Sequence, residues 1–144
     1  MSEAHGRPLE ESIGFLLARA AARLGQAANQ ALAEEGLRVR SYTVLRLACE
    51  NPAGISQKDV AEAMALDPSQ LVALLDSLQV KDLVHRQPDP NDRRSKLLFA
   101  TDEGIDVCKR AVAAVDRVNV EHLSHLPAWV VDGLRDTLQK IIAP

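Results

Sequence analysis

The stretch Ile55-Ser56-Gln57-Lys58-Asp59-Val60-Ala61-Glu62-Ala63-Met64-Ala65-Leu66-Asp67-Pro68-Ser69-Gln70-Leu71-Val72-Ala73-Leu74-Leu75-Asp76-Ser77-Leu78 carries two helix-start signals in quick succession. Ser56 stands three residues before Asp59, so its hydroxyl can accept one of the amides a helix leaves unpaired at its N-terminus. Ile55 and Val60 flank the pair as a hydrophobic staple. Asp67 repeats the device, with Pro68 at the first helical position, Gln70 as the reciprocal cap, and Leu66 and Leu71 as the staple. The spacing predicts one helix over 57–64 and a second opened by Asp67. A joint as short as Ala65-Leu66 cannot fold the two back antiparallel, so they cross steeply, as in a helix-turn-helix.

In the second helix Leu71, Leu74, Leu75 and Leu78 form the buried stripe, which leaves Ser69, Gln70, Val72, Ala73 and Asp76 outside. These outward side chains are small or plain, so the helix axis can come close to base edges and thymine methyl groups in a DNA groove. Downstream, Val84-His85-Arg86-Gln87 and Ser95-Lys96-Leu97-Leu98-Phe99-Ala100 read as two short strands. The turn residues Pro88-Asp89-Pro90-Asn91-Asp92 and the pair Arg93-Arg94 lie between them, which makes a hairpin with a charged tip.

Upstream, Ile13, Leu16, Leu17, Ala20, Leu24, Ala27, Ala28, Ala31 and Leu32 recur at helical spacing, which predicts a long amphipathic helix from Ser12 to about Glu34, ended by Gly36. Ser41 is expected to cap a shorter helix that buries Val44, Leu45 and Ala48 before the breaker cluster Asn51-Pro52-Ala53-Gly54. At the other end Thr101 caps a long helix with Asp102 and Glu103 near its positive end and a seam of Ile105, Cys108, Val112, Val115 and Val118. Past Pro127, the residues Val130, Leu134, Leu138 and Ile141 continue the pattern. The first and last helices therefore present apolar stripes that need a partner.

Composition agrees with a mostly helical protein: 47% of residues are hydrophobic but only 3% aromatic, so packing relies on aliphatic side chains. At 144 residues one domain, 1–144, is expected. Within it, 38–101 form a winged-helix lobe with a two-stranded hairpin wing, and 9–37 with 102–144 are the helices of a dimerisation lobe. No long apolar run occurs, and Met1 to Arg7 lack the order of a signal peptide, so a cytoplasmic protein with no membrane partner is expected. Neither a nucleophile-base pair nor a glycine-rich phosphate loop appears, and no cofactor or metal is expected, so an enzyme is not the reading. Cys49 and Cys108 lack the spacing of a metal knuckle and read as buried free thiols. His122 and His125 share a helix face at a spacing open to metal ligands, but read as surface or interface residues.

A helix-turn-helix followed by a hairpin is the order of a winged helix, whose second helix fits the major groove while the hairpin reaches the adjacent minor groove or backbone. The net charge of −3 argues against indiscriminate binding to nucleic acid, so a local basic patch must carry any contact. Arg86, Arg93, Arg94 and Lys96 against Asp89 and Asp92 make the wing locally positive. Lys58, in the first turn of the preceding helix, joins these candidates.

The chain resembles the MarR family of bacterial regulators. The likeness is densest over 66–78, over Leu83-Val84-His85-Arg86 to Asp92-Arg93-Arg94-Ser95-Lys96, and at Ala100-Thr101-Asp102-Glu103-Gly104. It implies a homodimeric regulator, expected to be a repressor, on a pseudo-palindromic double-stranded operator, released by a small aromatic or phenolic acid. By position, Arg94 would be the minor-groove arginine and Asp92 the carboxylate that holds it. Ser56, Gln57, Pro68, Ser69, Gln70 and Ala73 fall where the family touches the major groove or phosphates. The resemblance also places Arg19, Arg23, Tyr42 and Arg46 near an effector cleft, where a guanidinium could grip a carboxylate and Tyr42 could stack on a ring. Members commonly carry Gly where Asp82 stands. Two alternatives stay open: a winged-helix module that only contacts proteins, and a redox- or metal-sensing regulator using Cys49, Cys108 or the His pair.

Overall fold

A computed structural model describes residues 6–144; the absence of a signal-peptide pattern was read partly on Met1 to His5, which lie outside them. Six α-helices and three strands follow in the order α1 (Ile13–Leu32), α2 (Val39–Glu50), β1 (Ile55–Ser56), α3 (Gln57–Met64), α4 (Pro68–Val80), β2 (Val84–Asp89), β3 (Asp92–Ala100), α5 (Asp102–Leu123) and α6 (Ala128–Ile142) among the described residues. The helix pair is built as its caps require. Ser56 Oγ accepts from the Asp59 amide at 3.0 Å, and the Asp67 amide donates to Gln70 Oε1 at 3.2 Å. Leu71, Leu75 and Leu78 are buried and Leu74 half-buried, while Ser69, Gln70, Val72, Ala73 and Asp76 face outward.

One core joins the lobe to the long helices. It runs from Leu32 and Leu37 through Val44, Leu45 and Ala48 of α2, Val60 of α3 and the α4 leucines to Val107, Cys108 and Ala111 of α5. At their junction, Thr101 Oγ1 accepts from the Gly104 amide at 2.9 Å and donates to the Asp82 carbonyl at 2.7 Å. Asp82 has a φ of 59°, the left-handed region that the C-terminus of α4 demands.

Three expectations need correction, and a short strand is added beside the expected two-stranded wing. Helix α2 begins at Val39, not Ser41: Arg38 is the cap residue, and Ser41 Oγ in the first turn both accepts from the Arg38 amide and donates to its carbonyl, each at 3.0 Å. The sheet has three strands in the order β1-β3-β2, because Ile55 and Ser56 pair with Leu98 and Leu97. Two residues are too few to show alternation in a sequence. The wing strands also run longer than predicted and close through Pro90-Asn91 alone, so Arg93 and Arg94 belong to β3 and not to the loop. Pro88 is tolerated because β2 is an edge strand and a register shift falls next to it. In α5 the buried side is Gly104, Val107, Cys108, Ala111, Ala114 and Val118, with Ile105 exposed, because small residues bring α5 close to α1 and α2.

The outer helices behave differently from the lobe. In α1 only Ala28 and Leu32 are buried, and none of α6's residues is. Ile13, Leu16, Trp129, Leu134, Ile141 and Ile142 all remain exposed within the single chain. Among the described residues no helix is long and apolar enough to cross a membrane.

Candidate nucleic-acid interface

The outer face of α4 and the inner side of the wing meet in one open cleft of about 650 Å³. Ser56, Gln57 and Lys58 line it from the start of α3, Val72 from α4, and Arg86, Asp89, Asp92, Arg94, Ser95 and Lys96 from the wing. Seven of the twelve residues expected to touch DNA therefore share one concavity: Ser56, Gln57, Lys58, Arg86, Asp92, Arg94 and Lys96. Pro68, Ser69, Gln70 and Ala73 stand exposed on α4 beside it, while Arg93 is exposed on β3 and does not line it.

Local chemistry sets the wing tip. Asp89 Oδ1 accepts from the Asn91 amide at 2.9 Å and closes the turn, and Asp92 Oδ1 accepts from the Arg94 amide at 3.0 Å. Asp92 thus orders the backbone that carries Arg94, and the Arg94 guanidinium makes no ion pair among the described residues. Arg86 is engaged otherwise: Nη2 donates to Asp76 at 2.6 Å and Nε to Gln79 at 3.0 Å, so β2 is tied to α4. Gln57 Oε1 is buried with no partner among the described residues.

The four effector candidates do not meet in one cavity. Arg19 and Arg23 line a shallow depression on α1 with Leu16 and Gln26. Tyr42 is buried, and its hydroxyl accepts from Arg46 Nη1 at 2.8 Å. Arg46 also pairs with Glu50 at 2.9 Å; the Tyr42 hydroxyl first, and Glu50 second, hold its guanidinium above its ordinary pKa. A larger cleft of about 910 Å³, which sequence reasoning missed, lies between α1, the start of α2 and α4. Ala21, Ala22 and Gly25 line it on one side and the cations Arg38, Arg40 and Lys81 on the other, with no carboxylate in its lining. Lys81 Nζ donates to the Gly36 carbonyl. Arg38 and Arg40 are close in sequence, but only the fold brings Lys81 and the α1 wall to them.

Cys49 and Cys108 are free thiols of the same core, and they are neighbours. Burial, then the hydrogen bond with Cys108, pushes the Cys49 thiol up to about 12. His122 Nδ1 lies 2.9 Å from the Val118 carbonyl; with Glu121, His125 and Arg23 it borders a separate hollow at the end of α5. Among the described residues no three His, Cys, Asp or Glu side chains gather as a metal site would need.

A helix-turn-helix, a wing on its third strand and a cleft between them define a winged-helix protein. The chain belongs to the MarR family, whose model matches residues 35–95. A MarR-family transcriptional regulator from Rhodococcus sp. RHA1 is 47% identical, covers 96% of this chain and 97% of its own, and superposes with a TM-score of 0.92. CouR from Rhodococcus jostii RHA1, solved with p-coumaroyl-CoA bound, is 45% identical over 96% of both chains, with a TM-score of 0.89. A transcriptional repressor CouR bound to a 23-mer DNA duplex is 31% identical, covers 99% of this chain and 100% of its own, and has a TM-score of 0.85. The protein is a MarR-family transcriptional regulator.

Proposed function

We propose that the protein is a homodimeric, cytoplasmic repressor that holds a pseudo-palindromic operator and lets go when a small aromatic ligand binds. The observation that carries the DNA reading is the shared cleft, in which the start of α3, the face of α4 and Arg94 of the wing all look onto one surface. In this reading residues 38–101 are the reading lobe, and 9–37 with 102–144 join two copies. Helix α4 enters the major groove through Ser69, Gln70 and Ala73, while Arg94, ordered by Asp92, enters the minor groove. Ser56, Gln57, Lys58, Arg93 and Lys96 contact phosphates, Pro68 lays its ring against the duplex, and Arg86 holds the wing. The duplex-bound CouR, of similar fold, supports the DNA reading as a whole.

The ligand side rests on the cation-lined cleft and on CouR, which was solved with an aromatic thioester. Arg38, Arg40 and Lys81 supply its charge; Arg19 and Arg23 lie on the same helix but outside its lining, and Tyr42 with Arg46 is a structural pair. Release requires that the ligand bind the DNA-competent and incompetent dimers unequally.

Binding to duplexes from the protein's own promoter region tests the reading. Affinity should fall steeply with salt, and Arg94→Ala should weaken it by about tenfold or more. Unchanged binding by Arg94→Ala, or no binding at all, would favour a module that contacts only proteins. p-Coumarate and its CoA thioester, compared in thermal-shift and DNA-release assays, test the ligand.

A further inference from the structure

Past Ser69 and the side-chain amide nitrogen of Gln70, the exposed face of α4 offers a duplex little that hydrogen-bonds. Gln70 already accepts from the Asp67 amide, and Asp76 is held by Arg86. What lies between them is apolar: Val72, 41% exposed, next to Ala73. Val72 belongs to two concavities at once, the wing cleft and an apolar groove of about 510 Å³ between α3 and α4. Lys58, Arg86, Arg94 and Lys96 line the first of these with it, against the two carboxylates Asp89 and Asp92, each of which accepts from a wing backbone amide.

An isopropyl group set in a cleft where cations outnumber carboxylates suits one feature of B-DNA. In the major groove the thymine 5-methyl is the apolar mark that distinguishes one base from the others, and phosphates flank it on both sides. Resting on the DNA-binding reading above, we propose that Val72 is a specificity-determining residue that packs against a thymine 5-methyl in each half-site. Burial of one methyl group is worth about fourfold in affinity, enough to favour T over C at that position without any hydrogen bond. The Asp76–Arg86 pair serves the same end, because a free carboxylate there would seek a cytosine amino group or repel phosphate.

Deoxyuridine deletes the methyl and nothing else. The test starts from a duplex that the wild-type dimer enriches from a random-sequence pool, with its thymines replaced one position at a time in both half-sites. Competition binding is then followed by fluorescence anisotropy at two salt concentrations. Wild type should lose about fourfold per half-site at one thymine position, and Val72→Ala should lose nothing there while keeping the same salt dependence. Val72→Thr, which retains one methyl, should lose an intermediate amount. Circular dichroism checks that each variant is folded, as the exposure of Val72 leads us to expect. Equal wild-type affinity for every substituted duplex, or the same loss in Val72→Ala, would overturn the proposal. Failure to enrich any sequence would instead overturn the parent reading, and this one with it.

Discussion

Arg86 and Asp76 form an ion pair at 2.6 Å between β2 and α4, and the two are unequally covered: the Arg86 side chain is 18% exposed and that of Asp76 57%. The guanidinium therefore works from beneath, tying the wing to the recognition helix and cancelling a negative charge on the face proposed for DNA. Arg86→Ala should weaken duplex binding about five- to tenfold, roughly 1 to 1.4 kcal/mol, while Asp76→Ala should have a smaller effect. If cancelling the Asp76 charge is the larger of these two roles, the double variant recovers most of the loss. A direct phosphate contact by Arg86 would instead leave the double variant as weak as Arg86→Ala, so a double-mutant cycle on DNA affinity decides.

Gly104 sits inside α5, where helix propensity alone would favour Ala by about 1 kcal/mol. Packing reverses the sign. A Cβ there would lie 2.0 Å from the Leu83 carbonyl oxygen, which is itself fixed by the Thr101 amide at 3.0 Å. Gly104→Ala should therefore destabilise the protein by about 2 to 3 kcal/mol in urea unfolding. An unchanged or raised midpoint would mean that the β2–α5 junction yields easily.

Ala65, between α3 and α4, has φ 51° and ψ 46°, and the Leu66 amide closes the turn onto the Ala61 carbonyl at 3.0 Å. The left-handed conformation costs an Ala about 1 to 2 kcal/mol, and Gly loses about 0.5 to 1 kcal/mol more entropy on folding. Ala65→Gly should on balance stabilise by about 0.5 to 1 kcal/mol. Asp82→Gly should gain less, since Asp tolerates this region better. Thermal unfolding of both variants reads out the order, and a loss on Ala65→Gly would refute the argument.

How much of this was legible depended on the range of the interaction involved. Caps and staples act within five residues, so Ser56, Asp67 and Thr101 mark their helices in sequence, and the α4 stripe follows from its leucines. The convergence of Ser56, Gln57 and Lys58 with Arg94 and Lys96 followed from the order helix, helix, hairpin. Contacts between distant segments were not readable. Nothing local in Arg86 announces Asp76, nothing in Tyr42 announces that its ring is core, and Lys81 joins Arg38 and Arg40 only after folding.

The Cys49 thiol is raised to about 12 by burial and by Cys108, so the folded state holds its proton more tightly than the unfolded chain does. This contribution to stability is fully present below the unfolded thiol's pKa, near 8.5, and is lost as pH rises towards 12. Alkaline unfolding should be less steep over that window for Cys49→Ala than for wild type. At pH 8 a thiol-specific reagent should modify the native protein far more slowly than the unfolded one. Rapid modification of the native thiols would restore the redox-sensing alternative.

Helix α6 is the element least accounted for by its own chain. It places Val130, Leu134, Leu138 and Ile141 at helical spacing, yet none of its residues is buried, and Leu134 and Ile141 are 41% and 59% exposed. A helix that short gains little from propensity alone, and exposed apolar side chains on both outer helices, Ile13 and Leu16 on α1 and Trp129, Leu134 and Ile141 on α6, would favour association. A second copy is the occupant we propose, because two reading lobes must be held about one turn of DNA apart on a palindrome. Leu134→Asp combined with Ile141→Asp should leave the winged-helix core folded by circular dichroism and shift sedimentation from dimer to monomer. Operator affinity should fall about a hundredfold or more, as each half-site is then bound singly. Wild-type protein that sediments as a monomer at micromolar concentration would show that these stripes are covered by something other than a second copy.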